Sequence, residues 1–202
     1  MTARKIIGSG FTPIKSGFTL VELLIVIALL GVLAAAVLAA INPLEQANRA
    51  RDTRMKSDAS QMLAAHDRYF VTQDKFTWVT NGDVTNSDAA FGFVNATTAG
   101  SGICGVDCTT DGLLITNNEL KTEFRNRDFI KNGATVTEAL YIGKATGASS
   151  SVYSCWVPKS KSERTKATRT LTVGSPALGT AADCATRTYA DLTTSCVTCL
   201  PQ

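Results

Sequence analysis

The stretch Lys15-Ser-Gly-Phe-Thr-Leu-Val-Glu22, followed by LLIVIALLGVLAAAVLAAI, places one carboxylate inside a long apolar run. Glu22 is the only charged residue between Phe18 and Ile41. At ~1.5 Å per helical residue this run would extend for roughly 36 Å, whereas the hydrocarbon core of a bilayer is about 30 Å thick. The run therefore predicts a membrane-spanning helix. Because a charge in such a helix is costly, Glu22 is expected to have a partner in some state of the protein.

The segment before the apolar run, residues 1–17, is basic. It carries Arg4, Lys5 and Lys15 and no acid, and it lacks the apolar stretch that an ordinary secretory signal needs. Basic residues favour the cytoplasmic side of a membrane. The helix is therefore predicted to lead outwards, with everything after about residue 44 on the external face.

The stretch Ser16-Gly-Phe-Thr-Leu-Val-Glu22 with its apolar run resembles the prepilin motif of type IV pilins and pseudopilins. The resemblance implies that a prepilin peptidase cuts between Gly17 and Phe18 and that the new amino-terminal Phe18 is N-methylated. It also implies that Glu22 meets the amine of a neighbouring subunit during assembly, because a misplaced subunit would leave two buried charges unpaired. The alternative is that Glu22 only reaches out to the membrane interface.

The resemblance further implies an α+β, pilin-like fold, in which a long N-terminal helix packs its outer half against a small antiparallel β-sheet domain. The predicted segments are a cleaved leader at 1–17, a transmembrane and assembly helix at 18–41, a continuation packed on the globular domain at 42–72, and a β-rich, disulfide-containing domain at 73–202. The implied partners are copies of the chain itself in a filament, the prepilin peptidase, the membrane, and an inner-membrane assembly platform with a motor ATPase. The implied location is the inner (cytoplasmic) membrane, single-pass, before assembly and an extracellular or periplasmic filament afterwards.

Six cysteines lie beyond the apolar run: Cys104, Cys108, Cys155, Cys184, Cys196 and Cys199. An even number of cysteines in an exported region favours up to three disulfides, and the sequence leaves all 15 pairings open. The CxxxC at 104–108 and the CxxC at 196–199 leave a zinc site as an alternative. A redox-active CxxC is a further alternative, but such a motif normally opens a helix, and this one lies near the carboxyl terminus.

A second helical segment is predicted to begin at Asn42-Pro-Leu-Glu45, where a capping residue precedes a proline and an acid. A kink is expected near 42–43, and not a division into two separate domains. Its upstream part, Arg49 to Lys56, is rich in charge and predicts a solvated or subunit-facing surface. Helical spacing predicts one packed face further on, made by Ala59, Met62, Leu63, His66, Tyr69 and Phe70.

The region after residue 73 is rich in Thr, Ser, Gly and Asn and predicts an antiparallel meander. The candidate strands are Leu113 to Thr116, Val136 to Ile142, Val152 to Val157 and Thr168 to Val173. Residues Asn118 to Phe124 predict a short helix. The glycine-rich segment from about 79 to 111 predicts a loop.

Few residues could support catalysis or metal binding, because His66 is the only histidine and lies on the face predicted to be packed. We therefore predict no catalytic residue, metal or cofactor. The segment Asn81 to Asp88 has oxygen ligands at alternating positions but lacks the glutamate of a calcium loop, so an acidic surface loop is favoured. Asn95-Ala-Thr97 matches the short N-glycosylation pattern.

A basic segment at 159–169 is a candidate patch for DNA or an anionic surface. Its basic residues are Lys159, Lys161, Arg164, Lys166 and Arg169. Loss of the three basic leader residues would leave 17 of the 20 Lys and Arg against 17 Asp and Glu, so overall charge implies no polyanion partner. No aromatic residue interleaves for base stacking, and a solvated turn is the simpler interpretation.

Taken with the resemblance, these patterns favour a structural subunit of a type IV pilus or pilus-like filament, assembled through the apolar helix. Two alternatives stay open. One is a low-copy minor pilin or pseudopilin that acts as an adhesion or DNA-binding module, and the other is a pseudopilin of type II secretion.

Overall fold

The computed structural model describes residues 17–79, 89–106, 108–131, 133, 135–189, 192 and 194–201. The chain divides into two compact units, Met1–Asn42 and Pro43–Gln202. The first contains a long apolar helix, and the second contains further helices and a small antiparallel sheet. The predicted α+β, pilin-like fold class is confirmed.

Helix α1, Leu20–Ala40, belongs to the first unit. It runs through Gly31 without a break, and none of its residues is buried. Its 21 residues would extend for about 31 Å at the usual helical rise. Among the described residues, α1 is the one helix that is long and apolar enough to cross a membrane.

Helix α2, Pro43–Gln73, opens the second unit, and Pro43 is its first residue as expected. Ile41 and Asn42 are not helical. The predicted packed face is present: Ala59, Met62, His66 and Tyr69 are buried, while Leu63 and Phe70 are half-buried. Met55 and Ala65 extend this face along the helix.

The main sheet has the strand order β1-β2-β3-β6, and every neighbouring pair is antiparallel. Its strands are β1 Phe91–Asn95, β2 Leu140–Lys144, β3 Val152–Trp156 and β6 Thr198–Leu200. The intervening strands, β4 Arg169–Leu171 and β5 Leu178–Thr180, pair with each other in a separate hairpin. Of the predicted meander, the pairing of β2 with β3 is confirmed, whereas β4, within the predicted strand Thr168 to Val173, pairs with β5 and not with β3, so the meander was wrong there. The carboxyl-terminal strand β6 lies beside β3 instead.

The main sheet carries a hydrophobic core on each face. On one face Leu140, Ile142 and Trp156 pack in a cluster with the buried face of α2. On the other face Tyr141 and Cys155 belong to a second cluster, which also holds Leu171 of β4. Because both faces are covered, all five residues of β2 are buried.

The outer edges of the main sheet are covered by the segment that contains β4. Next to β6, the Val197 N–H donates to the Arg169 carbonyl at 2.8 Å. Beside β1, the Gly174 N–H donates to the Phe93 carbonyl, and the Phe93 N–H donates to the Ser175 carbonyl, both at 2.8 Å. At these positions the backbone groups of the edge are already paired within the chain.

Several predicted elements in the second unit were wrong. Leu113–Thr116 is a short helix, α3, and not a strand. The helix expected at 118–124 is a 3-10 turn at Thr122–Asn126, followed by helix α4 at Asp128–Lys131. The expected loop at 79–111 contains strand β1 and a 3-10 turn at Ala99–Ser101. Helix α5, Lys161–Arg164, and a 3-10 turn at Cys184–Thr186 complete the fold.

The six cysteines form three disulfides, Cys104–Cys108, Cys155–Cys199 and Cys184–Cys196. The second joins residues that face each other directly across β3 and β6. The third ties the segment after β5 to the residues that lead into β6. With all six sulfurs paired, no thiolate is available for the zinc alternative.

Candidate assembly site and the base of the globular domain

The first turn of α1 is closed by a reciprocal pair of hydrogen bonds between Thr19 and Glu22. The Glu22 N–H donates to Thr19 Oγ1 at 3.2 Å, and the Thr19 N–H donates to Glu22 Oε2 at 2.9 Å. The Thr19 hydroxyl also donates to Oε2, at 2.8 Å. This capping box satisfies backbone donors that a helix amino terminus otherwise leaves unpaired. It also fixes the carboxylate one turn from the residue where the new amino terminus would lie.

The predicted cleavage site lies in extended chain just before this turn. Gly17 and Phe18 precede the helix, and Phe18 is 90% exposed. No described atom lies within 4 Å of a Cβ placed on Gly17. Both residues are therefore exposed with respect to the described part of the chain, and the leader residues 1–16 lie outside it.

Beyond Glu22, α1 exposes apolar side chains on every side. Leu, Ile and Val residues from Leu23 to Leu38 are exposed, and none packs in a core of the described chain. A continuous apolar surface of this size must be covered by lipid or by other protein. With one carboxylate at its start, the helix suits a membrane-held stage and close packing with other helices.

A family model described as the prokaryotic N-terminal methylation motif matches residues 14–38. The chain carries the type IV prepilin signature. The matched residues include the predicted cleavage site, Glu22 and most of α1. This signature supports a protein of the type IV pilin or pseudopilin family, and it points to a structural protein and not to an enzyme. No curated protein and no solved structure matches the chain.

Outside the prepilin signature, the buried carboxylate of Asp52 joins α2 to the loop after β3. This side chain accepts hydrogen bonds from the backbone N–H of Ser160 at 2.8 Å and from that of Lys159 at 3.1 Å. Arg51 Nη1 donates to the same carboxylate at 2.9 Å. The prediction of a solvated Arg49–Lys56 segment was therefore wrong at Arg51 and Asp52, because the loop after β3 supplies partners for both charges.

Arg51 extends this network to the loop before β2. Its guanidinium donates to the Val157 carbonyl at 2.7 Å, to the Thr137 carbonyl, and to Glu138 at 3.3 Å. Lys159 pairs with the other oxygen of Glu138. Burial lowers the pKa of both Arg51 and Lys159, yet each cation has a carboxylate partner. These contacts join α2 to the loops on both sides of the β2–β3 hairpin.

His66 is packed, as its position on the helix face predicts. It is 1% exposed, and its Nδ1 lies 2.8 Å from the Met62 carbonyl, so Nδ1 carries the proton that this bond requires. Nε2 lies 3.4 Å from the Thr77 hydroxyl. Burial lowers the pKa of His66 from 6.5 to about 4, which keeps the ring neutral at neutral pH.

The five residues of the basic segment do not form one uniform patch. Lys159 pairs with Glu138, and Lys166 Nζ lies 3.4 Å from Glu163. The Arg164 guanidinium lies 5.1 Å above the centre of the Tyr189 ring. Lys161 and Arg169 are exposed, the first at the start of α5 and the second in β4. DNA binding by these residues stays a prediction.

The remaining candidate sites are the calcium-like segment, the N-glycosylation pattern and any metal-binding group. The calcium-like segment Asn81 to Asp88 lies outside the described residues. Asn95 ends β1, where its amide nitrogen donates to the Gly133 carbonyl and its oxygen accepts from the Thr97 N–H. Within the described ranges, no group of three His, Cys, Asp or Glu side chains could hold a metal ion.

Proposed function

We propose that the chain is a structural subunit of a type IV pilus or pilus-like filament, assembled through α1 after cleavage between Gly17 and Phe18. The observation that carries this proposal is the fully exposed apolar helix with Glu22 held at its first turn inside the prepilin signature. Cleavage places an amine at Phe18, and Glu22 of a neighbouring copy is its partner in the filament.

The proposal includes the route to the filament. A prepilin peptidase removes the leader and methylates Phe18, and α1 then holds the subunit in the inner membrane. An assembly platform and its motor ATPase extract the subunit into an extracellular or periplasmic filament. The globular domain performs no chemistry and forms the outer surface.

The test is to shear filaments from cells that produce the chain and to analyse the purified material by mass spectrometry. We expect the chain as a major component, beginning at an N-methylated Phe18 and retaining three disulfides. A chain that is absent from filaments, or that keeps its leader, would contradict the proposal. A trace amount at one filament end would favour the minor-pilin alternative.

A further inference from the structure

Three exposed basic residues, Arg49, Lys161 and Lys166, lie near the first turns of α2, and we call them the basal cluster. We propose that the basal cluster binds anionic phospholipid headgroups while the subunit is held in the membrane. This inference rests on the membrane-anchored stage of the proposed function. The inference gives a role to the three basic residues of the cluster, which take no part in filament assembly through α1.

The members of the basal cluster are brought together by two carboxylates. Glu45, in the first turn of α2, accepts hydrogen bonds from the Lys161 N–H at 2.9 and 3.2 Å and from Arg49 Nε at 3.3 Å. Glu163 pairs with Lys166 and lines the same cavity of about 210 Å³ as Arg49. Residues 116 positions apart in the chain thus meet at the start of α2.

The basal cluster presents positive charge to solvent, although two carboxylates lie next to it. The Arg49 and Lys166 side chains are 62% and 72% exposed, whereas those of Glu45 and Glu163 are 21% and 28% exposed. The carboxylates are therefore partly covered and the cations face solvent. Leu44 is 70% exposed beside them and offers an apolar side chain to the membrane interface.

Chain length keeps Glu45, at the centre of the basal cluster, near the bilayer. Glu45 lies only four positions after Ile41, the last residue of the apolar run. Four residues span at most ~14 Å. The headgroup layer adds about 5 to 8 Å beyond the hydrocarbon core, and screening at physiological salt allows attraction over about 8 Å more. Residues bound to Glu45 therefore lie within reach of headgroup charge.

The short connection between Ile41 and Glu45 also favours lipid over DNA as the partner of the basal cluster. Lys159 and Arg164 of the basic segment are engaged by Glu138 and Tyr189, which leaves a compact cluster and not a long stripe. Each basic residue near an anionic surface contributes favourable electrostatic binding free energy, and this attraction needs no aromatic side chains for base stacking.

The test uses the full mature chain reconstituted into vesicles of phosphatidylcholine alone or of equal parts phosphatidylcholine and phosphatidylglycerol. Reaction of lysines with an amine reagent is followed residue by residue. We expect Lys161 and Lys166 to react about fivefold more slowly in the anionic vesicles and to recover in high salt. Lys121 is the internal control because it lies far from the basal cluster. It is two residues after Glu119, which pairs with Arg68. Arg68 lies ~35 Å further along α2 than Glu45.

A variant pair separates cluster charge from other effects of the lipid. Amide hydrogen exchange at residues 160–166 is expected to be slower in the anionic than in the neutral vesicles, and this difference should disappear in Lys161→Gln with Lys166→Gln but remain in Lys121→Gln. Equal labelling in both vesicles, or protection by added DNA in neutral vesicles only, would overturn the proposal. Flotation of the vesicles measures separately whether α1 has inserted. A failure of filament assembly would contradict the proposed function, but it would not change the comparison of lysine labelling between the two kinds of vesicle.

Discussion

The buried carboxylate of Asp52 accepts a 2.8 Å hydrogen bond from the backbone N–H of Ser160, which lies 108 residues later in the chain. This bond joins α2 to the segment between β3 and α5. Arg51 adds bonds to the carbonyls of Thr137 and Val157 on either side of the β2–β3 hairpin. The loops on either side of the β2–β3 hairpin are therefore joined to α2 by paired charges, whereas the main sheet packs on the apolar face of α2 around Met62.

Replacing Asp52 by Asn should destabilise the globular domain by roughly 3 kcal/mol. The amide would present N–H groups to backbone donors and would leave Arg51 with a weaker partner. The measurement is chemical unfolding of the mature chain in detergent. Asp67→Asn, at an exposed position of the same helix, is the matched control and should change little. Equal effects of the two substitutions would show that the Asp52 contacts contribute nothing specific.

His66 should make the domain sensitive to acid. In the unfolded chain its pKa is about 6.5, and in the folded domain it is about 4, so the unfolded state binds more protons between these values. Its contribution to stability is therefore present above pH ~6.5 and is lost as the pH falls towards 4, by roughly 3 kcal/mol in total. Burial raises the pKa of Asp58, which acts in the opposite direction. Asp58 contributes equally to the wild-type chain and to His66→Asn, so its effect cancels when the two are compared. Parallel curves of unfolding free energy against pH would refute the role of His66 in acid sensitivity.

Removal of single disulfides should destabilise the domain in the order of the loops that they close. The sequence separations are 44 for Cys155–Cys199, 12 for Cys184–Cys196 and 4 for Cys104–Cys108. Chain entropy then predicts losses of about 4, 3 and 2 kcal/mol when each pair is changed to Ala. Unfolding midpoints of the three double variants test this order. A largest loss for the 104–108 pair would contradict it.

Gly92 should tolerate no side chain, because a Cβ there would lie 2.2 Å from the Gly174 carbonyl oxygen. Gly92→Ala is expected to separate this edge of β1 from the segment after β4 and to cost about 2 kcal/mol or more. Gly31→Ala is the matched control, since nothing lies within 4 Å of a Cβ at that position. Hydrogen exchange at Phe93 and Gly174 reports the edge directly, and unchanged protection there would contradict the close approach.

The two long helices of the fold could be predicted because each rests on a long pattern. The apolar run predicts α1, and the spacing of Ala59, Met62, His66 and Tyr69 predicts the packed face of α2. The assembly role of Glu22 stays a prediction from its position in the prepilin motif. A long pattern averages over many residues, so no single contact decides the outcome.

The short elements could not be predicted in the same way. Leu113–Thr116 is an apolar run of four residues, for which periodicity cannot separate helix from strand. Strand β6 has three residues and exists because it pairs with β3 across the Cys155–Cys199 disulfide. Asp52 has the charge of a surface residue, and it is buried only because N–H groups more than 100 residues away complete its hydrogen bonds.

The most direct test of the central claim is the filament yield of Glu22→Gln compared with that of the wild-type chain. Glutamine keeps the size of the side chain and removes the charge that the assembly site requires. We expect the variant to be cleaved before Phe18 and to stay in the membrane, with no filaments in the sheared fraction. The control Glu123→Gln, an exposed acid of the globular domain, should give normal yield. Normal filaments from Glu22→Gln would contradict the account.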